Sequence, residues 1–190
     1  MFAGIGGFRS GLEAIGGFRC VGYCEIDPYP RRAYQTAYVG DGNGALLSGQ
    51  APGAGRACFV DLNENPAFTD IARCVTTRQD AGIGSHPRER SGVFQEVQAD
   101  EYNGKFVLVV TDADGEVHYG VIRKLTPREC WRLQGFTDEQ FNKVAALGFS
   151  DGRLYKMAGN AVSVPVISAL GQRLKEIDAA NATETGERYE

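Results

Sequence analysis

The stretch MFAGIGGFRSGLEAIGGFRCVGYCEIDPYPRRAY, residues 1–34, decides the fold class, because short apolar segments alternate in it with glycine turns and helix-forming runs. The expected elements are, in order, a strand tail over 2–5, a turn at Gly6 and Gly7, a helix over 9–15 ended by Gly16 and Gly17, a strand over 19–26 and a helix over 30–38. A strand followed by a helix, twice in succession, is typical of a parallel α/β architecture. We therefore predict an α/β fold.

The glycine turn indicates what this fold would bind. A glycine turn between strand and helix presents backbone N–H groups to a ligand, and an acidic residue ending the next strand can accept hydrogen bonds from ribose hydroxyls. Here that acid is Glu25, with Asp27 just beyond it. The pattern F-A-G-I-G-G lacks the G-x-G-x-x-G spacing of a pyrophosphate site, so an adenosine ligand without phosphates fits better than NAD or FAD. A tight turn beside ordinary surface acids is the alternative.

Composition limits the classes of protein to consider. A chain of 190 residues, 43% of them hydrophobic, suits one domain or a small domain with a lobe. The net charge of −4 shows no global basic field, so a nucleic-acid partner would have to meet a local basic patch. Five dispersed cysteines and two histidines favour reduced thiols in the cytoplasm and argue against a metal site. No run is long and apolar enough for a membrane span, so no membrane partner is expected.

The rest of the chain divides by pattern. Residues 1–40 form the first part of the core, and the Gly-, Ala- and Ser-rich stretch within 41–69 predicts a linker or loop. Residues 70–122 predict a small β-rich lobe, in which a turn at residues 112–115 joins two strands into a hairpin. Its expected strands are 72–79, 91–97, 105–110 and 116–125.

Residues 123–178 are expected to be helical and to return to the core, with 179–190 as a frayed tail. Thr126, Pro127 and Glu129 predict a capping box, Thr137 begins a helix through Leu147, and Ser163 begins the last helix. In that helix the apolar residues Ile167, Leu170, Leu174 and Ile177 define one face, which we expect to lie in the core. We also expect Trp131 to be a core residue and not a platform for a DNA base.

Four segments together resemble one family. FAGIGGFRSGLE and EIDPYPRRAY, at residues 2–13 and 25–34, closely resemble the first two motifs of DNA (cytosine-5) methyltransferases. RKLTPRECWRLQGF and YKMAGNAVSVPVISALG, at 123–136 and 155–171, resemble its last two, in family order. The resemblance implies a Rossmann-like core that uses S-adenosylmethionine, with the β-rich lobe where the family keeps its target-recognition domain. It also implies methyl transfer to C5 of cytosine in double-stranded DNA, as in restriction-modification systems.

The resemblance further implies a cofactor site. Glu25 would hold the ribose, Ile26 would pack on the adenine, and the segment 160–162 would close the pocket from the far end of the chain. The full set of residues implied to bind S-adenosylmethionine is Phe2, Ala3, Gly4, Ile5, Gly6, Gly7, Glu25, Ile26, Asp27, Asn160, Ala161 and Val162.

The catalytic motifs of the family do not occur in the sequence. The family attacks C6 of a flipped cytosine with a cysteine in a Pro-Cys motif, assisted by Glu-Asn-Val and by Gln-x-Arg-x-Arg. No cysteine here follows a proline, and Glu64-Asn65 is followed by Pro66 where the family has valine. The stretch with Arg88 and Arg90 begins with His86 where the family has glutamine. No catalytic residue is therefore assigned, and the core is expected to be incomplete.

Three hypotheses follow from this. The chain is active only with a complementing methyltransferase subunit, or it is a noncatalytic module that binds S-adenosylmethionine or DNA, or it is a Rossmann-like protein for another nucleotide. DNA contact would rest on a local basic patch whose phosphate binding is salt dependent. Its candidate residues are Arg88, Arg90, Arg123, Lys124 and Arg128.

Overall fold

The structure is a computed structural model that describes residues 3–39, 59–61, 66–69, 91–97 and 108–185. The chain forms two compact units. One contains the N-terminal residues to position 49, residues 131–150 and the chain from Asn160, and the other contains residues 50–130 and 151–159. The helices are α1 (Gly7–Ala14), α2 (Pro28–Tyr38), α3 (Pro127–Leu133), α4 (Asp138–Ala145), α5 (Asp151–Asn160) and α6 (Val164–Thr185). The strands are β1 (Phe59–Asp61), β2 (Ala67–Thr69), β3 (Ser91–Glu96), β4 (Leu108–Thr111) and β5 (Val117–Arg123).

The first two helices form where the sequence predicts them. Helix α1 starts directly after Gly6, whose φ of 92° is a conformation that glycine adopts readily and other residues rarely do. Gly16 and Gly17 follow the helix and also have positive φ. Helix α2 begins two residues earlier than expected, because Asp27 caps it: the Asp27 carboxylate accepts a hydrogen bond from the Tyr29 N–H at 3.0 Å. Pro28 occupies the first helical position, where a missing N–H costs nothing.

Helix α6 packs on α1 through small residues. A Cβ at Gly11 would lie 2.6 Å from Ile167 Cβ, and one at Gly171 would lie 2.8 Å from Leu12 Cδ2, so the two helices approach too closely for larger side chains. The Ser168 hydroxyl also donates to the Gly11 carbonyl at 2.9 Å. The two ends of the chain therefore meet in one unit.

The apolar face predicted for the last helix is not in the core, and that expectation is wrong beyond its first residue. Ile167 is buried, but Leu170 is 57% exposed, Leu174 55% and Ile177 47%. The face that packs on α1 contains Ile167, Ser168 and Gly171, so it is rotated away from the three exposed residues. Helix α6 also continues past Ile177, as far as Thr185.

An aromatic cluster forms the core around α3 and α4. The Trp131 ring is 1% exposed and contacts the rings of Phe136 and Phe141, with centroid distances of 5.2 and 5.6 Å. This confirms Trp131 as a core residue. Thr137 caps α4 in a complete capping box with Gln140, as the predicted helix start requires.

The second unit contains a five-stranded sheet in the order β2-β1-β3-β5-β4. Its four strand pairs are all antiparallel. The β4–β5 pair confirms the predicted hairpin, with Thr111 opposite Val117 and Gly115 at a φ of 83° in the turn. Two short strands, β1 and β2, lie within the stretch expected to be a linker, and the strand expected over 72–79 lies outside the described residues. Val60, Phe94 and Val110 form the sheet's core, with Phe68, Leu108 and Ile122 packed against them.

The parallel sheet predicted for the N-terminal region is not present in the described part of the chain. The expected strand over 19–26 makes a single bridge, in which the Ala3 N–H donates to the Cys24 carbonyl at 2.8 Å. Val21 in this segment is 90% exposed. A parallel strand is stable only when both its faces are covered, and this segment has no such cover. What the structure shows is a mixed α/β chain with an antiparallel sheet. Among the described residues, no helix is long and apolar enough to cross a membrane.

The start of α3 is fixed by a charged capping box, as predicted from Thr126 and Glu129. Glu129 accepts from the Thr126 N–H at 2.8 Å, and its two oxygens accept from both terminal nitrogens of Arg123 at 2.8 and 2.9 Å. The pKa of Glu129 is lowered to about 2, first by the Arg123 hydrogen bonds and then by the Thr126 N–H, which together outweigh the opposing effect of burial.

We expect Glu129→Gln to lower the free energy of unfolding by about 1–2 kcal/mol near neutral pH, since solvent around the partly exposed Arg123 screens the pair. Glutamine keeps the cap but loses the charge. Because the folded-state pKa is depressed, this stability is present above the unfolded pKa of about 4.5 and is lost as the pH falls toward 2. Urea denaturation followed by circular dichroism at several pH values measures it. Glu176→Gln, in an exposed ion pair with Arg173, is the control and should cost less than about 0.5 kcal/mol. Equal losses of stability for Glu129→Gln and Glu176→Gln would contradict a stabilising role of the Arg123–Glu129 pair.

Candidate cofactor-binding site

The glycine turn and the predicted acid lie in direct contact. The Gly4 N–H donates to Glu25 Oε2 at 2.7 Å, and the Asp27 N–H donates to Glu25 Oε1 at 3.0 Å. The bridge between Ala3 and Cys24 holds the two segments side by side. Each carboxylate oxygen has a second lone pair, so Glu25 can still accept hydrogen bonds from two hydroxyl groups.

The segment 160–162 reaches the same turn from the far end of the chain. A Cβ at Gly7 would lie 2.5 Å from the Val162 carbonyl oxygen, so only glycine lets this backbone approach the start of α1. Asn160 is exposed at the end of α5, Ala161 is half-buried, and Val162 is partly exposed. Three sequence-distant segments therefore meet at the turn.

The other predicted cofactor residues occupy different environments. Ile5 is buried in the core, 3% exposed, whereas Ile26 is 73% exposed beside Glu25. Asp27 already uses its carboxylate to cap α2. Phe2 lies outside the described residues.

A cavity of about 550 Å³ lies beside the turn, between α1 and residues 18–24. Phe8, Leu12 and Phe18 give it apolar walls, and Arg9 and Glu13 form an ion pair of 2.8 Å at its lining. Of the predicted cofactor residues, Ala3 and Gly6 line this cavity.

A partly buried polar cluster at the turn, outside the lining of this cavity, was not predicted from the sequence. Ser10, Tyr38 and Gln140 contact one another through their side chains, and the Tyr38 hydroxyl donates to the Gly6 carbonyl at 3.0 Å. Burial raises the pKa of Tyr38, so its phenol stays protonated. The helix start predicted at Thr137 gave no signal for this cluster, because Gln140 was not singled out in the sequence.

The buried cysteine of the described residues offers no activated nucleophile. Cys130 is fully buried, and burial raises the pKa of its thiol to about 11, so it is a neutral thiol near pH 7. Cys20 and Cys24 are exposed, and Cys20 Sγ lies 3.4 Å from the Tyr34 hydroxyl. Cys58 and Cys74 lie outside the described residues.

The structure describes three of the five predicted DNA-binding residues. The Arg123 guanidinium is held in the bidentate pair with Glu129. Lys124 is exposed, and Arg128 is half-buried. Arg88 and Arg90 lie outside the described residues.

The hairpin carries a group of side chains with metal-ligand chemistry. Ligand atoms of Asp112, Glu116 and His118 lie within 4.8 Å of one another. The His118 ring is already held between two carboxylates, with Nδ1 3.2 Å from Glu96 Oε1 and Nε2 3.2 Å from Asp112 Oδ2. These hydrogen bonds raise the pKa of His118, which favours the imidazolium and not a metal ligand.

Comparison with known proteins decides the family. The family described as C-5 cytosine-specific DNA methylase matches residues 64–176, which is more than half of the chain. The chain belongs to this family. The predicted family is therefore confirmed, and the match includes the two C-terminal motifs. Members of the family transfer a methyl group from S-adenosylmethionine to cytosine in DNA. No solved structure matches this chain significantly.

Individual methyltransferases are similar to parts of this chain. The orphan methyltransferase M.SPBetaI of Bacillus phage SPbeta is 45% identical over 78 residues, which are 38% of this chain and 18% of that protein. The type II methyltransferase M.HpaII of Haemophilus parainfluenzae is 47% identical over 94 residues, 50% of this chain and 23% of that protein. The chain thus spans about a fifth of the length of these relatives.

Proposed function

We propose that this chain is the cofactor-binding and C-terminal portion of a DNA cytosine-5 methyltransferase, with an incomplete Rossmann-like core and a lobe that corresponds to the target-recognition domain. The observation that carries the proposal is the contact of Gly4 with Glu25, at a turn that the Val162 backbone also reaches. A family that uses S-adenosylmethionine needs a hydroxyl acceptor and a close backbone at one place, and this turn supplies both.

The residues at the turn suit the adenosine part of S-adenosylmethionine. The free lone pairs of Glu25 match two ribose hydroxyl groups, and the exposed Ile26 side chain offers an apolar surface for the adenine. The first-turn N–H groups of α1 have no carbonyl partner within the helix, so they can face an electron-rich ligand group. The cofactor supplies the methyl group. The chain's own residues would bind and orient it.

Methyl transfer to C5 of cytosine also needs a thiolate, and the motif that supplies it in this family is missing from the sequence. A buried thiol with a pKa near 11, as at Cys130, cannot attack a base, and no Pro-Cys motif occurs in the sequence. We therefore propose that a second polypeptide supplies the nucleophile and that double-stranded DNA is the substrate of the assembly. Lys124 and Arg128 are the described residues best placed in sequence for phosphate contact. The alternative is a noncatalytic module that binds S-adenosylmethionine or DNA.

We expect S-adenosylhomocysteine at about 100 times its dissociation constant to stabilise the chain by about 2.7 kcal/mol and to raise the unfolding midpoint by a few degrees. Glu25→Ala should remove most of this shift, because the ribose hydroxyl groups lose their charged acceptor. Thermal unfolding with and without the ligand measures both. Glu139→Gln, at an exposed ion pair on α4, is the control and should keep the full shift. An unchanged midpoint of the unmodified chain, with a cooperative transition, would contradict the proposal.

We expect no transfer of labelled methyl groups to DNA by the chain alone, and transfer when a polypeptide with the Pro-Cys and Glu-Asn-Val motifs is added. Leu170 and Leu174 are apolar and exposed on α6. Folded proteins rarely leave a continuous apolar surface exposed to water, so these two residues offer a contact surface for that polypeptide. Leu170→Ser with Leu174→Ser should weaken complementation at least tenfold, measured as initial rate against polypeptide concentration. Arg173→Ser, an exposed position on the same helix, is the control. Ligand binding without transfer in the mixture would favour the noncatalytic alternative.

A further inference from the structure

We propose that Gln140, Tyr38 and Ser10 form a positioning network that fixes the orientation of the Gly6–Gly7 peptide at the start of α1. This inference rests on the proposed function, because the orientation of the turn matters for binding if S-adenosylmethionine binds there. Of the three residues, Tyr38 and Gln140 lie outside the motifs that identified the family, and only Ser10 lies within one of them. They come together from α1, α2 and α4, positions 130 residues apart in sequence.

The capping box of α4 determines the direction of every hydrogen bond in the network. The Thr137 N–H can only donate, and it lies 3.0 Å from one atom of the Gln140 amide, so that atom is the oxygen Oε1. The other amide atom is therefore Nε2, which donates to Ser10 Oγ at 2.9 Å and to Tyr38 Oη at 3.2 Å. The cap thus presents the Gln140 amide N–H group as a donor to both hydroxyl oxygens.

The remaining protons then have one consistent arrangement. Tyr38 Oη accepts from Gln140, so its own proton goes to the Gly6 carbonyl at 3.0 Å. Ser10 Oγ also accepts from Gln140 and donates its proton to Tyr38 Oη, with which it is in direct contact. Every polar group of the cluster is then satisfied, which buried polar groups require. The raised pKa of Tyr38 keeps its proton in place.

The network acts on the peptide that opens the helix. The Gly6 carbonyl accepts from the Tyr38 hydroxyl and from the Ser10 N–H, the latter at 2.9 Å, so both of its lone pairs are used. The carbonyl and the following N–H point in opposite directions across a trans peptide. Anchoring the Gly6 oxygen toward Tyr38 therefore directs the Gly7 N–H away from Tyr38. That N–H is one of the first-turn donors available to a ligand.

Two substitutions remove the network but keep the packing. Tyr38→Phe keeps the ring beside Gly6 and removes the proton donor to its carbonyl. Gln140→Glu keeps the acceptor for the Thr137 N–H but replaces the N–H donors by a carboxylate oxygen, which draws the Tyr38 proton away from Gly6. Ser168→Ala is the matched control, because it removes a side-chain hydrogen bond of similar length to a carbonyl of α1, at Gly11 and away from the turn.

Amide hydrogen exchange of the unliganded chain and calorimetric titration with S-adenosylhomocysteine are the two measurements, both made below the unfolding transition. We expect Tyr38→Phe and Gln140→Glu to speed exchange of the Ser10 N–H, which donates to the Gly6 carbonyl, roughly fivefold to tenfold, as loss of one hydrogen bond at that carbonyl predicts, and to weaken ligand affinity by a similar factor. Ser168→Ala should leave both readouts within about twofold of the unmodified chain, although it lowers stability.

The two readouts separate this inference from the proposed function. If the unmodified chain does not bind S-adenosylhomocysteine, the proposed function fails, and the exchange rate of the Ser10 N–H still decides whether the network orders the turn. If the Ser10 N–H exchanges as slowly in Tyr38→Phe and Gln140→Glu as in Ser168→Ala, the network is overturned, even with normal ligand binding. Faster exchange with unchanged affinity would overturn its role in positioning the turn for the cofactor.

Discussion

Trp131→Ala is expected to lower the free energy of unfolding by about 3–5 kcal/mol, because it empties the largest fully buried site of the described residues. The indole is 1% exposed and contacts the rings of Phe136 and Phe141. A typical domain has a total stability of about 5–15 kcal/mol, so this loss would leave the unit marginally folded. Trp131 is the single tryptophan of the chain, so unfolding must be followed by circular dichroism and not by indole fluorescence.

Two companion variants test whether the loss arises from the cavity. Trp131→Phe keeps a ring against Phe136 and Phe141 and should cost about 1–2 kcal/mol less than the alanine variant, since the aromatic contacts partly remain. Leu133→Ala, two residues further along α3, removes a side chain that is 40% exposed and should cost less than about 1 kcal/mol. Equal losses for Trp131→Ala and Leu133→Ala would show that Trp131 does not lie in a packed core.

The elements predicted correctly from the sequence are those whose interactions are local. Thr126 with Glu129 and Thr137 with Gln140 each close a capping box over three residues, and the turn at residues 112–115 closes the β4–β5 hairpin. A cap or a tight turn satisfies backbone groups with partners a few residues away, so the pattern contains the whole interaction.

The elements predicted wrongly depend on what covers them. The spacing of Leu170, Leu174 and Ile177 shows that α6 has an apolar face, but spacing does not say which element packs on it. Residues 19–26 have the composition of a buried strand, and they form only one bridge because a strand needs a neighbour. In both cases burial was predicted from a local sequence pattern, whereas burial depends on tertiary packing.

The candidate site also contains one contact that the sequence predicts and one cluster that it does not. The spacing between the glycine turn and the next acid predicted that Gly4 and Glu25 would meet, since a βα turn and the end of the next segment lie at one edge. The cluster of Ser10, Tyr38 and Gln140 had no signal, because each residue is unremarkable in its own segment. Their contact exists only once α1, α2 and α4 have packed together.

Gly6→Ala is expected to cost about 2–5 kcal/mol, because two penalties act at one position. The φ of 92° disfavours any residue with a Cβ, and a Cβ at Gly6 would lie 2.7 Å from Tyr38 Cζ and 2.8 Å from its hydroxyl oxygen. The ring cannot withdraw freely, since its hydroxyl is hydrogen-bonded to Gln140 and to the Gly6 carbonyl. Urea denaturation followed by circular dichroism measures the loss.

Gly16→Ala separates the two penalties, because Gly16 has a φ of 67° and a Cβ at this position would have no atom within 4 Å. Only backbone strain acts there, so we expect a cost of about 1–2 kcal/mol. The difference between the two variants measures the pressure of the Tyr38 ring on the turn, and Tyr38→Ala combined with Gly6→Ala should recover at least about 1 kcal/mol relative to additive losses. Equal losses at Gly6 and Gly16, with an additive double variant, would mean that φ alone requires glycine at the turn and that the ring is free to move aside.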